Sequence, residues 1–197
     1  MKAFRIALWV AAALLAGATA AIFWSMQGTD PRAFASDEPY GAPFRLVDQN
    51  GEAVTEAALR GRPSAVFFGF THCPEVCPTT LYELAGFQEE IEASGAEPFR
   101  IVFVTVDPTR DTPQILKDYV GALSEDALAL TGEPDQVADM LKGWGVYAEK
   151  ADDSENYNMN HTATTFLIDA EGRLQGTLGY GEDPATAKAK LERLSGV

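Results

Sequence analysis

An α/β fold is what this sequence predicts, and three observations carry the prediction. Two uninterrupted apolar runs, Ser64 to Phe70 and Phe99 to Val106, have the length and the β-branched and aromatic content of buried central strands. Segments with helical spacing follow each of them, the first with apolar residues at Leu81, Leu84, Ala85, Phe87 and Ile91. Paired short strand-like segments with turn residues between them stand near both ends of this alternation.

The elements follow in order. Phe44 to Asp48 and Asn50 to Val54 read as a hairpin, with Asn50-Gly51 suited to a type I′ turn. Ser64 to Phe70 is the first central strand and Thr79 to Ala93 the first helix. Phe99 to Val106 is the second central strand. Thr112 is an N-cap followed by Pro113 at the first helical position, which opens a helix through Leu123. Ala127 to Leu130 is a short strand. Pro134 to Trp144 is a helix stopped near Gly143 and Gly145. Thr164 to Asp169 and Arg173 to Tyr180 form a second hairpin around Ala170-Glu171-Gly172, and Pro184 to Leu194 is a closing helix. Strand–helix–strand–helix, then a hairpin and a final helix, is the order of a thioredoxin-like fold, here with an N-terminal β-hairpin and an inserted hairpin over residues 44–197.

The N-terminus differs in kind. Lys2 and Arg5 precede Ile6 to Trp24, nineteen residues without a charge. Residues 1–5 read as a cytoplasmic segment and 6–24 as a single transmembrane anchor, because about 20 apolar residues cross the hydrocarbon core and basic residues stay inside. A signal peptide cleaved after Ala18-Thr19-Ala20 is the alternative. Residues 25–43, rich in Gly, Pro, Ser and Asp, read as a tether. Either reading exports the remainder, which in a bacterium means the periplasmic face of the inner membrane. Apart from Lys2 and Arg5, every charged residue lies beyond Trp24, and there acidic residues dominate. Such a surface repels nucleic acid.

Cys73 and Cys77 are the two cysteines of the chain, three residues apart in Thr71-His72-Cys73-Pro74-Glu75-Val76-Cys77-Pro78. They fall at the carboxyl end of a central strand, where ligand sites of open α/β sheets lie. In an oxidising compartment two cysteines most simply form a disulfide. Thioredoxin-type enzymes have two residues between their cysteines, not three. Each Cys precedes a Pro, which disfavours helical backbone at the cysteine. Cys77 is therefore expected at the N-cap with Pro78 in the first turn, and the helix N-terminus gives Cys77 thiolate character. Soft thiolates with an imidazole select Cu(I). His72, adjacent to Cys73, points to the opposite face of an extended segment and reads as a solvent-facing or loop-bonded residue. His161, just before the strand Thr164 to Asp169, reaches the cysteine loop if that strand's entry lies opposite it; a lone loop histidine is otherwise polar surface. Met159 shares the face of His161 in an extended segment, where it reads either as a thioether donor to Cu(I) or, as loop methionines more often do, as packing.

These segments resemble the Sco/SenC copper-binding proteins. The residues that carry the resemblance are Gly69 to Leu81, Val104 to Pro113, Leu130-Thr131-Gly132 and His161 to Asp169, and it spans roughly 41–195. It implies a membrane-anchored periplasmic domain with a thioredoxin-like fold. It implies one copper ion, Cu(I) or Cu(II), held by Cys73, Cys77 and His161, and a role in assembling the CuA centre of cytochrome c oxidase. The implied partners are the copper-bearing subunit of that oxidase and other periplasmic copper chaperones. Many members have Asp directly before the ligand His, where this chain has Asn160, which accepts a hydrogen bond but brings no charge. Asp107 reads either as a carboxylate that assists the thiols or contacts a partner, or as a strand-end Asp-Pro turn.

Four functions compete. A metallochaperone needs Cys73, Cys77 and His161. A thiol–disulfide reductase needs Cys73 and Cys77 as a redox-active dithiol but not His161. A redox or copper sensor uses the same residues. A thiol peroxidase of the peroxiredoxin kind is disfavoured, because Phe70 and Pro74 stand three residues before the cysteines where a hydroxyl is required.

Overall fold

The computed structural model describes residues 38–197 apart from residue 125, together with Phe4, Arg5, Trp9 and Gly17. Most of the expected anchor, 6–24, and residues 25–37 lie outside the described residues. Among the described residues no helix is long and apolar enough to cross a membrane.

Strands β1 (Arg45–Asp48), β2 (Ala53–Thr55), β3 (Ser64–Gly69), β4 (Arg100–Thr105), β5 (Leu128–Thr131), β8 (Thr164–Ile168) and β9 (Leu174–Gly179) form one sheet in the order β2-β1-β5-β4-β3-β8-β9. Strands β3, β4 and β5 are parallel, and β1, β8 and β9 run antiparallel to their neighbours. Strands β6 (Ala148–Lys150) and β7 (Met159–His161) make a separate two-stranded sheet. The helices are α1 (Val76–Ala93), α2 (Pro113–Gly121), α3 (Pro134–Gly143) and α4 (Pro184–Ser195). This is the expected mixed α/β, thioredoxin-like arrangement.

Both runs that predicted central strands are buried along almost their whole length. Burial on both faces removes the polar alternation of a half-exposed strand. Register assigns the two faces. Phe67 pairs with Phe103 and Gly69 with Thr105, so these four side-chain positions share one face; Phe68 and Val104 point to the other. The second face is filled by Trp144, whose ring lies 5.5 Å from Phe68 and 5.6 Å from Phe166. Tyr40 packs edge-on against Trp144 at 5.2 Å and donates its hydroxyl to the Trp144 carbonyl. Tyr40, read from sequence as part of the tether, is thus packed against this core.

Local chemistry accounts for the ends. Thr112 Oγ1 accepts from the Ile115 amide ahead of Pro113, as the cap pattern predicts. Gly145, at φ +66°, ends α3 just beyond Trp144. The first hairpin departs from the type I′ expectation, because Asn50 keeps a negative φ and only Gly51 (φ +83°) is left-handed. Asp48 decides it. Its carboxylate accepts from the amides of Asn50 and Glu52 at 2.8 and 2.9 Å, which stabilises a longer, Asx-type loop.

Candidate metal centre

The cysteine loop leaves β3 and enters α1. Helix α1 starts at Val76, so Cys77 occupies its second position and Pro78 its third, where a missing N–H costs nothing. The expected start was two residues later; a proline within the first turn does not force the helix to begin at itself. Glu75 caps without a side-chain bond. Cys73 fills that role, its Sγ accepting from the Cys77 amide at 3.4 Å. The sulfur served by the helix N-terminus is therefore that of Cys73, not of Cys77. Cys73 is half-buried, Cys77 is fully buried, and both are free thiols. Burial pushes the Cys77 thiol far above its ordinary range, against a backbone bond from Phe70 that lowers it. The expected thiolate character of Cys77 is overturned by desolvation.

His161 reaches this loop from β7, opposite Ala148 of β6. Its Nε2 stands 3.8 Å from Cys77 Sγ. Its Nδ1 lies 3.0 Å from the Thr162 carbonyl, an acceptor only, so Nδ1 carries the proton and Nε2 presents its lone pair to the sulfur. The ring packs edge-on against Phe70 at 5.7 Å and near Phe67 at 6.4 Å. This apolar wall desolvates the imidazole and lowers its pKa, with the Thr162 bond opposing. The neutral form is favoured. At zinc-like bond lengths an ion shared by a sulfur and a nitrogen holds them roughly 3.5–3.7 Å apart, so the Cys77–His161 spacing needs little change to close on one. Two thiols and a neutral imidazole suit a soft ion. As they stand, no three His, Cys, Asp or Glu side chains among the described residues form a metal-holding group; Cys73 Sγ is still engaged with the α1 amide.

The low pKa of His161 sets a pH dependence. A group whose folded pKa lies below its unfolded value binds more protons when unfolded, so stability falls as pH drops below the unfolded value near 6.5. We expect urea unfolding of the metal-free protein to show this loss between the unfolded and folded values. His161→Asn should flatten that part of the curve, and an unchanged slope would refute it.

The other expected residues fall as follows. His72 is exposed and meets Thr71 Oγ1 at 3.2 Å, as the loop-bonded reading has it. Asn160 pairs with Glu149 and is exposed, on the strand face opposite His161. The bond that orients the imidazole comes from the Thr162 carbonyl instead. Met159 packs against the core. Asp107 is buried, accepts from the Tyr157 hydroxyl at 2.7 Å and is paired with Arg110. Arg110 also donates to the Tyr157 carbonyl at 2.9 Å and lies 3.6 Å over its ring. Asp107 opens the strand-end Asp-Pro turn that one reading expected, its carbonyl accepting from the Arg110 amide at 3.2 Å, and its carboxylate also ties the end of β4 to the segment that leads into the His161 strand.

Two residues escaped the sequence reading. Asp111 is fully buried and accepts from the Thr71 amide (3.0 Å), Thr71 Oγ1 (2.6 Å) and Thr105 Oγ1 (2.6 Å), which pins the cysteine loop to the end of β4. Gly69 leaves room for the site. A Cβ there would lie 2.8 Å from both Cys77 Sγ and Phe103 Cε2. A glycine closing an otherwise apolar strand was the available signal for such a close approach.

Known proteins share this fold and sequence. The SCO1/SenC family model matches residues 32–196. A SCO2-like protein of Rickettsia prowazekii is 39% identical over 136 residues, covering 68% of this chain and 66% of that protein. The mitochondrial protein SCO2 of Saccharomyces cerevisiae is 35% identical over 154 residues, 77% of this chain and 51% of its own length. The chain thus spans between half and two thirds of these relatives. Among solved structures, copper-bound ScoI of Bradyrhizobium japonicum superposes with TM-score 0.69 at 38% identity, over 79% of this chain and 99% of that one. Copper-bound yeast Sco1 superposes with TM-score 0.72 at 31% identity, over 79% and 88%. With its family match running nearly end to end of the described domain and its cysteine loop facing a β7 histidine, this chain belongs to the SCO1/SenC family.

Proposed function

We propose that this protein carries copper on Cys73, Cys77 and His161 and assists assembly of the CuA centre of cytochrome c oxidase. In this reading residues 6–24 anchor it in a bacterial inner membrane with the domain on the periplasmic side. The ion is cargo, Cu(I) or Cu(II), passed between other periplasmic copper chaperones and the copper-bearing oxidase subunit. One observation carries the reading: the Cys77 sulfur faces a neutral imidazole whose lone pair is aimed at it from 3.8 Å. The copper held by the similar ScoI and Sco1 structures supports the choice of ion. The uncharged run after Lys2 and Arg5 supports the anchor.

The asymmetry of the thiols suits transfer. Cys77 and His161 form the closed end of the site, while half-buried Cys73 is where an incoming thiol gains access. Binding requires both thiols to lose their protons, so loading releases protons and weakens as pH falls. A disulfide between them would remove both sulfur donors, which couples cargo to redox state.

The test is copper titration of the reduced full chain in detergent, beside His161→Ala. We expect one ion per wild-type chain and an affinity more than a hundredfold weaker in the variant, since losing a donor costs more than the roughly 10–100-fold lost with a group that only supports one. Equal binding by the two proteins would remove His161 from the site and sink the reading.

The same asymmetry favours thiol–disulfide exchange as a second reading. An accessible sulfur at a helix N-terminal amide is placed to attack, and a buried one to resolve. On this reading Cys77→Ser traps a mixed disulfide at Cys73 with a small aromatic disulfide probe, and His161→Ala exchanges at the wild-type rate. Slow exchange in His161→Ala would count against it.

A further inference from the structure

Four buried side-chain polar atoms among the described residues have no hydrogen-bond partner: Arg110 Nη2, the Tyr119 hydroxyl, Trp144 Nε1 and Ser195 Oγ. A buried group left unpaired is costly, so each calls for a reason. The surroundings of Tyr119 are those of the thiols. Tyr119 lies on α2, and its ring packs 5.6 Å from Phe103. Phe103 shares a sheet face with Phe67, Gly69 and Thr105. The Phe103 edge and Cys77 Sγ converge on Gly69 from two sides, each 2.8 Å from where a Cβ would stand. On that face Thr105 also holds Asp111. Trp144, by contrast, packs with Phe68 and Phe166 on the other face.

The hydroxyl is therefore an unused donor on the sheet face that also holds the Cys77 sulfur. Burial above all, then the neighbouring Cys77, Cys73 and Asp111, raise the Tyr119 pKa, so the phenol keeps its proton and stays a donor. A neutral, buried thiol is a weak acceptor and gives that proton little to bind. A thiolate in the same place is a charged acceptor, for which hydrogen bonds are roughly twice as strong.

We propose that the Tyr119 hydroxyl donates to the Cys77 sulfur once that sulfur becomes an anionic metal ligand, and so helps set how tightly the site holds copper. The inference rests on Cys73, Cys77 and His161 being the donors. Tyr119 is then a positioning residue that acts through Cys77 and touches no metal. Hydrogen bonds to ligand atoms tune metal sites in this way.

Tyr119→Phe tests it, since it removes one oxygen and leaves the ring on Phe103. For both full-length chains we would measure Cu(I) affinity by chelator competition, the sulfur-to-copper charge-transfer band of the Cu(II)-loaded protein, and thermal unfolding without metal. The expected result is about tenfold weaker Cu(I) binding and a charge-transfer band at lower energy, because the sulfur loses a stabilising proton donor. The metal-free melting temperature should equal or exceed that of wild type, since an unpaired buried hydroxyl is gone. An affinity within twofold of wild type and an unmoved band overturn the inference while leaving copper carriage intact. A weaker affinity matched by a lower metal-free melting temperature also overturns it, because Tyr119 then serves packing. Failure of wild type to bind copper removes the proposed function itself, and this inference with it.

Discussion

Asp111→Ala should destabilise the domain severely while Asp111→Asn is tolerated. Asp111 is fully buried, and its carboxylate receives three donors: the Thr71 amide, Thr71 Oγ1 and Thr105 Oγ1. Alanine leaves these groups facing a small void. At about 1–3 kcal/mol for each buried group left without a partner, and with hydroxyl rotation relieving part of it, we expect a loss of about 4 kcal/mol. That is a large fraction of a typical domain stability of roughly 5–15 kcal/mol. Asparagine can keep the pattern. Its oxygen at the Oδ2 position still accepts from the Thr71 amide and Thr105 Oγ1, and its amino group at the Oδ1 position donates to Thr71 Oγ1, which turns to accept. Its expected cost is about 1 kcal/mol, the difference between a charged and a neutral acceptor. Urea unfolding of both variants checks this. Equal losses would mean that charge, not hydrogen-bond count, is what Asp111 supplies. Because Thr71 starts the cysteine loop, Asp111→Ala should also weaken copper binding, and Asp111→Asn should do so far less.

The parts legible in the sequence were those with their own local physics. Ser64 to Gly69 and Arg100 to Thr105 announced themselves because both faces of each strand are buried and the apolar run is unbroken. Thr112-Pro113 marked the start of α2 because cap and proline act within one turn. The β6–β7 sheet gave no such signal. Ala148-Glu149-Lys150 and Met159-Asn160-His161 are three residues each and mixed in polarity, and their pairing is a tertiary fact. The two cysteines were conspicuous as chemistry, but their unequal environments were not. Helix capping is local and favoured a thiolate at Cys77, whereas burial of the sulfur depends on the fold, with Phe103 of β4 and His161 of β7 brought to it from distant sequence, and desolvation prevails. Asp107 and Asp111 looked alike in Asp107-Pro108-Thr109-Arg110-Asp111. Only the folded chain shows that one meets Tyr157, 50 residues away, and the other Thr71, 40 residues before it.

Gly69→Ala should cost copper binding more than any change that leaves the three donors and the chain fold in place. The backbone at Gly69 lies in a regular strand, paired with Thr105, and needs no left-handed conformation. What it needs is space. The added Cβ would meet Cys77 Sγ and Phe103 Cε2 at 2.8 Å and Phe67 Cε1 at 3.0 Å. None of these is a free end. Phe67, Phe103 and Cys77 are each 0% exposed, and interiors packed at crystal density do not yield without strain. Overpacking of this kind costs about 1–3 kcal/mol, and we expect about 2 kcal/mol here. The sulfur is the smallest of the three and lies in the first turn of α1, so it is the group that gives. Displacement moves it from its line to His161 Nε2, a spacing that already lies just beyond what one shared ion holds. The expected result is a fall in Cu(I) affinity of about a hundredfold, on the scale of a misplaced ligand, with far-ultraviolet circular dichroism of a folded domain. Wild-type affinity in a folded Gly69→Ala protein would show that the sulfur has room elsewhere, and that the strand end does not set the geometry of the site.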